Sequence, residues 1–248
     1  MQFGTLPHDC LETLEEKRRE IEMKGIMILV SLLSLSTIGW ADTDATTDRL
    51  QNAGEVLHQI MAAPDKGIPE EVLDHAKCVA VVPHMVKGGF IFGAEGGRGV
   101  ATCRTENGWS APAFFAITGG SWGLQIGVEG VDLVMIVQND KGMQRLLASK
   151  FQLGADASAA AGPVGRHASA DTDWKMNTEI LTYSRAKGVF AGLDLSGSAI
   201  RRDDDSMKTV YGPDVSTRAV LAGNVPATAP AQPFLDAVKG AKADAASR

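Results

Sequence analysis

The pentapeptide Gly119-Gly120-Ser121-Trp122-Gly123 has the G-x-S-x-G spacing that lifts a nucleophilic hydroxyl onto a sharp strand-to-helix turn in serine hydrolases. That turn needs a helix after the serine. Here Leu124, Ile126 and Val128 alternate with polar or glycine positions, which is the period of a strand. Gly123, Gly127 and Gly130 would each cost a helix about 1 kcal/mol relative to alanine. None of His58, His75, His84 and His167 stands in a recognisable pairing with Ser121, so the expectation is a protein without this catalytic chemistry.

Other reactive patterns also resolve into structural ones. Gly88 to Gly99 is rich enough in glycine for a phosphate cradle. It has neither the G-x-G-x-x-G order nor a lysine followed by Ser or Thr ahead of a helix, so it reads as a bend between strands. Asp203, Asp204 and Asp205 have no second ligand cluster at metal spacing and read as the start of a helix, where negative charge complements the dipole. Cys78 and Cys103 have no histidine or further cysteine to complete a zinc site. Two readings of them stay open: a disulfide, contributing about 3 kcal/mol, or two buried free thiols on neighbouring strands. No cofactor or metal is expected.

What remains is charge. Lys77 follows a short helix, Lys87 lies in Met85-Val86-Lys87-Gly88, which reads as a turn, and Arg98 stands in the glycine-rich segment. Lys150 and Arg166 bracket the small-residue run SKFQLGADASAAAGPVGR, and Arg201-Arg202 end the last strand. Gathered on one rim, each cation contributes up to about 1 kcal/mol toward an anionic membrane surface; separately they are solvated charges. The net charge of -6 offers no general basic footprint for nucleic acid, so any attraction to anionic lipid is local. Trp109, beside Gly108, has the chemistry of an interfacial aromatic or of a core residue.

These side chains must be positioned by short elements. Leu50, Ala53, Leu57, Ile60 and Met61 recur at helical spacing and predict an amphipathic helix from Thr47 to Ala62; Pro69 opens a second, short one. Six β-like runs follow, Cys78–Val82, Gly89–Ala94, Gly99–Arg104, Ala113–Thr118, Ser121–Val128 and Asp132–Gln138, divided by turn signals such as Glu106-Asn107-Gly108 and Gly119-Gly120. Asn139 caps a brief helix, and Ile180–Ala186 with Val189–Ile200 form a last hairpin. Helices are expected from Asp203 toward Tyr211 and from Asp214 to Leu221. The sum is an α+β fold: a mainly antiparallel β-barrel or sandwich, connected as a meander, with short peripheral helices.

Met23-Lys24, an apolar run from Ile26 to Ile38 and Gly39-Trp40-Ala41 describe a secretory signal peptide over 23–41, with cleavage after Ala41 and residues 1–22 as a leader ahead of the true start. Removing residues 1–41 takes away six acidic and four basic side chains and leaves a net charge of -4. The reading is therefore an exported protein of the periplasm or cell envelope with one domain over 42–222. Residues 223–248 read as a flexible Pro/Ala-rich tail: a semi-extended tether beginning Gly-Asn-Val-Pro-Ala-Thr-Ala-Pro, then a small amphipathic stretch from Phe234 to Val238, expected to pack weakly or not at all.

Three long motifs carry a resemblance: AKCVAVVPHMVKGGFIFGAEGGRGV (Ala76 to Val100), GWSAPAFFAITGGSWGLQIG (Gly108 to Gly127) and the small-residue run ending at Arg166. Together they resemble the SYLF domain family from about Leu50 to about Leu221. The resemblance implies a lipid-binding module; eukaryotic members bind phosphoinositides and some yeast members bind and bundle actin. It implies that the first amphipathic helix, Lys77 and Lys87 contribute to lipid binding. The expected export, rather than the resemblance, makes the ligand an anionic phospholipid or another lipidic envelope component, with actin a partner only by family analogy. A protein-interaction scaffold of the envelope is the alternative reading.

Overall fold

The structure, a computed structural model, describes residues 38–63, 67–89, 92–122, 127–164, 178–186, 189–191 and 195–246. The expected leader, nearly all of the expected signal peptide and Arg166 lie outside them. The chain divides into two units, Met1–Thr43 and Asp44–Arg248, and the architecture below is that of the second.

Four long strands form its centre: β1 (Cys78–Gly89), β2 (Phe92–Thr105), β4 (Ala113–Trp122) and β5 (Gly127–Val137), with the two-residue β3 (Gly108–Trp109) pairing with β2. Four of the six runs expected from the sequence fall on them; the runs Gly89–Ala94 and Ser121–Val128 each join the end of one strand to the start of the next and include residues 90–91 and 123–126, outside the described ones. Lys87-Gly88 and Gly119-Gly120 are not turns; each lies inside a strand whose partners continue on both sides. The remaining strands are β6 (Lys150–Gln152), β7 (Ala159–Ala161), β8 (Ile180–Ala186), β9 (Val189–Ala191) and β10 (Ala199–Arg202).

The sheet order is β6-β10-β4-β2-β1-β5-β8-β7, antiparallel throughout except for β7 against β8. β1, β2 and β4 are successive neighbours and β5 returns to lie beside β1, so the order β5-β1-β2-β4 is a Greek key rather than the expected meander. The result is a strongly curled half-barrel, α+β as the composition implied. Its edges, β6 and β7, are three residues each, too short to template another chain.

One residue bends β1. His84 adopts φ 53°, two residues of β1 face the single Asp132 of β5, and the His84 amide donates to Asp132 Oδ1 at 3.1 Å. Asp132 also accepts from Arg185 on β8 at 2.8 Å, which fixes the bulge from both sides. Below the bulge both faces are covered: Cys78–Val82, an unbroken apolar run, and Ile180–Ser184, which carries Thr182 and Ser184, are buried at every position.

Helix α1 (Ile38–Met61) buries Leu50, Ala53, Val56, Leu57, Ile60 and Met61 on one stripe, as the periodicity predicts. Pro69 precedes the short α2 (Glu70–Asp74). Asn139 caps α3 (Asp140–Leu146), its side chain accepting from the Gly142 amide at 3.0 Å. Asp203 and Ser216 cap α4 (Asp204–Tyr211) and α5 (Thr217–Leu221) in the same way. The C-terminal segment is not a loose tail. Pro230 and Pro233 lead into α6 (Gln232–Ala246), which buries Phe234, Leu235, Val238 and Ala241. A Cβ at Gly54 would come within 2.9 Å of the Pro233 carbonyl oxygen, so α1 accommodates this segment only because residue 54 has no side chain. The amphipathic stretch expected from Phe234 to Val238 is part of this longer helix, and its apolar face is packed rather than loose.

The strand glycines fall into two kinds. At Gly97 and Gly99 an added Cβ would strike Val82 and Phe115, so close packing requires glycine there. At Gly130 nothing lies within 4 Å, and at Gly96 and Gly120 only a backbone oxygen at 3.9 and 3.8 Å. Gly130→Ala should therefore raise stability by about 0.5–1 kcal/mol, by restricting the unfolded chain at no steric cost. Urea unfolding checks this; a loss of stability would show a backbone requirement at that position.

Candidate functional site

Strand register gathers three cations that the sequence leaves far apart. Lys150 on β6 stands opposite Arg201 on β10, Arg201 opposite Ala116 on β4, and Ala116 opposite Arg98 on β2. Directly opposed residues share a sheet face, so Lys150, Arg201 and Arg98 form one row with the small Ala116 between the arginines. With strands about 4.8 Å apart, Lys150 and Arg201 are immediate neighbours and Arg98 lies roughly 10 Å beyond. Lys150 and Arg201 are exposed and have no acidic partner among the described residues; the Arg98 side chain is 67% exposed.

A buried ion pair lies beside the Arg98 end of the row. Asp203 Oδ2 accepts from Arg49 of α1 at 2.9 Å and from the Ser206 hydroxyl at 2.8 Å, while Oδ1 accepts from the Ser206 amide. Arg49 also lies 5.4 Å from the centre of the Phe114 ring. Burial alone would push the Asp203 carboxyl up. The Ser206 hydroxyl and amide and the Arg49 guanidinium outweigh it and hold the carboxyl below its usual range. Arg98 Nε stands 4.0 Å from the same Oδ2, already engaged by Arg49, so its guanidinium is left largely to solvent. The three aspartates thus act as the helix start expected of them. Arg49 had one visible signal in the sequence: it sits one residue before Leu50 and four before Ala53, at the margin of the apolar stripe of α1.

The other expected lipid-binding residues do not join the row. Lys87 is inside β1, opposite Glu95 and Glu129, on the other face of the sheet. Its side chain is 16% exposed, with Nζ 3.9 Å from Glu95 Oε2, and the Ser198 hydroxyl donates to Glu95 Oε1. A Cβ at Gly119 would meet both Ser198 and Glu95, which explains that glycine. Lys77 pairs with Asp140 at 3.3 Å. Its carbonyl accepts from the Arg104 amide, six residues along β2 from Arg98. That separates it from the row by about 20 Å.

The remaining chemical motifs take structural places. Cys78 and Cys103 are joined as a disulfide across directly opposed positions of β1 and β2. Trp109 lies under Arg104, whose Cζ is 4.7 Å from the ring centre and whose side chain donates to the Leu73 and Ala76 carbonyls. It walls an open groove of about 680 Å³ that also includes Met143, Leu147 and Pro226. Ser121 and Trp122 lie in β4, while Gly123, the last residue of the G-x-S-x-G pattern, lies outside the described residues, which resume at Gly127 in β5. Among the described residues no group of three or more His, Cys, Asp or Glu could hold a metal ion, and no helix is long and apolar enough to cross a membrane.

The family model "Ysc84: Las17-binding protein actin regulator" matches residues 118–241, from the upper part of β4 into α6. The chain belongs to this family, the one that carries the SYLF domain. The human SH3 domain-containing YSC84-like protein 1 is 33% identical over 171 residues, covering 68% of this chain and 50% of that protein. Protein YSC84 of Saccharomyces cerevisiae is 34% identical over 184 residues, 72% of this chain and 38% of its own. LAS seventeen-binding protein 3 of the same species is 34% identical over 174 residues. The chain spans about half the length of the animal relatives it matches, and less of the yeast ones. The match to residue 241 takes in α6, so the SYLF-type domain runs past the limit at 222 expected from the sequence.

Proposed function

We propose that this SYLF domain is a non-enzymatic module that docks on anionic lipid surfaces through Arg98, Arg201 and Lys150. The observation that carries the reading is the single cross-strand row in which these three cations stand exposed, two of them without an acidic partner among the described residues. Cations in this arrangement offer phosphate groups several contacts at once, each worth about 1 kcal/mol at an anionic membrane. Lys77 and Lys87, expected from the family resemblance to contribute, have a surface ion pair and a face turned away from the row, and have the weaker claim. Export to the cell envelope belongs to the same reading, supported by the closed disulfide, which suits an oxidising compartment.

Reversing Lys150 and Arg201 together to Glu is expected to weaken flotation with phosphatidylserine-containing vesicles at least tenfold, while Lys77→Glu changes it less than twofold. Unchanged binding by the double variant, or a larger loss from Lys77→Glu, would remove the row from the site.

A second reading, a protein-binding scaffold, is favoured by the family description, which names Las17 binding and actin regulation. On that reading the same row would face an acidic protein surface.

A further inference from the structure

Above the cation row the same sheet face is left uncovered and holds exposed apolar side chains. Val86 is 52% exposed and Val128 79%, the extremes of a surface spread across β1, β2, β4 and β5. Register places Val86 between Gly96 and Gly130, and Gly88 between Ala94 and Val128. Gly120 continues the second line beside Ala94, and Thr118 the first beside Gly96. Four strands make this face about 14 Å wide. Of the charged residues of these strand segments, Glu95, Lys87 and Glu129 alternate to the opposite face, and Asp132, on this face beside the bulge, is largely buried and paired with Arg185, so no unpaired acid interrupts the surface between the row and its far end.

As described for the fold, Gly96, Gly120 and Gly130 have room for a side chain and serve no close packing, yet glycine in a strand costs stability. The effect of leaving them bare is a smooth surface edged on one side by Arg98, Arg201 and Lys150. A rigid protein partner gains little from a face with few side chains to interdigitate. A fluid one conforms to it, and the adjoining cations select for negative charge.

We infer that this sheet face docks on an anionic lipid bilayer, with Val86 and Val128 in the headgroup–acyl boundary and the cation row on the phosphates. The inference rests on the lipid-surface reading above and adds the part of the molecule that touches the bilayer and its orientation.

Two measurements test it on the full chain with phosphatidylserine-containing vesicles. In flotation, Val86→Asp combined with Val128→Asp is expected to lose at least tenfold in binding while circular dichroism and the melting midpoint stay close to wild type. Wild-type-like flotation of that variant would overturn the inference and leave the lipid-surface reading standing. Failure of the wild type to float would overturn both. As a check that does not rely on loss of binding, Val128→Cys in a Cys10→Ser background can be labelled with an environment-sensitive fluorophore and compared with a label at Lys141→Cys on α3. The label at 128 should brighten and shift to the blue on vesicles while the one at 141 does not. No change at 128 in protein that floats would overturn the inference.

Discussion

Asp203→Ala is expected to destabilise the domain by about 3–5 kcal/mol at pH 7, the range for removing one partner of a buried ion pair. Three losses coincide. The Arg49 guanidinium is left buried against Phe114, the α4 amide at Ser206 loses its cap, and the Ser206 hydroxyl loses its acceptor. The direction of the Asp203 shift fixes the pH dependence. Its folded-state value is lowered, so the stabilisation is complete above the unfolded carboxylate value of about 3.9 and is lost as pH falls through the lower folded value. Urea unfolding at pH 7 and at pH 3 should therefore show a larger gap between wild type and Asp203→Ala at the higher pH. A gap below 1 kcal/mol at pH 7, or one that does not narrow in acid, would show that the pair contributes no net charge interaction. Arg98 is left solvated in either case, so a folded Asp203→Asn variant should retain the cation row.

Opening the Cys78–Cys103 disulfide is the second large effect. The bond joins positions 25 residues apart in sequence, and closing a loop of that length restricts the unfolded chain by about 3 kcal/mol. Cys78 and Cys103 are a directly opposed pair, flanked by the Arg104 amide donating to the Lys77 carbonyl at 2.7 Å, so the strands are held in register on either side of the bond. Dithiothreitol should lower the urea midpoint of the wild type and leave a Cys78→Ala, Cys103→Ala protein unmoved. Equal midpoints with and without reductant would mean that register, not the covalent link, holds the two strands together.

The parts of this molecule legible in sequence are those that local chemistry decides. Asn139 and Asp203 mark helix starts because their side chains accept from the amide three residues on. The stripe from Leu50 to Met61 marks a buried face because its period is helical. The α+β class and antiparallel pairing followed from the density of short apolar runs and turn residues. Strand limits did not, because Gly88, Gly119 and Gly120 were read as turn residues and instead occupy strand interiors, where Gly119 clears space for Glu95 and Gly120 leaves a face bare. In the tail the amphipathic stretch from Phe234 to Val238 is legible, but not that it packs, because the surface it meets at Gly54 lies about 180 residues earlier in sequence.

The candidate site was half legible. Lys150 and Arg98 stood out as cations at element boundaries, but their alignment with Arg201 depends on three separate pairings among β6, β10, β4 and β2, residues up to 103 apart in sequence. No local signal carries that register. The assignment of Lys87 to a turn failed for the same reason, since which face a strand residue takes is set by its partners and by the bulge at His84.

The most direct test of the lipid-surface reading is wild-type binding measured side by side on neutral phosphatidylcholine vesicles, on vesicles with increasing phosphatidylserine, and on actin filaments, at low and at high salt. The row of Arg98, Arg201 and Lys150 predicts binding that rises with the anionic fraction, falls in high salt and is weak on neutral vesicles. Binding that ignores lipid charge, or that appears on filaments alone, would contradict it and favour the protein-binding scaffold.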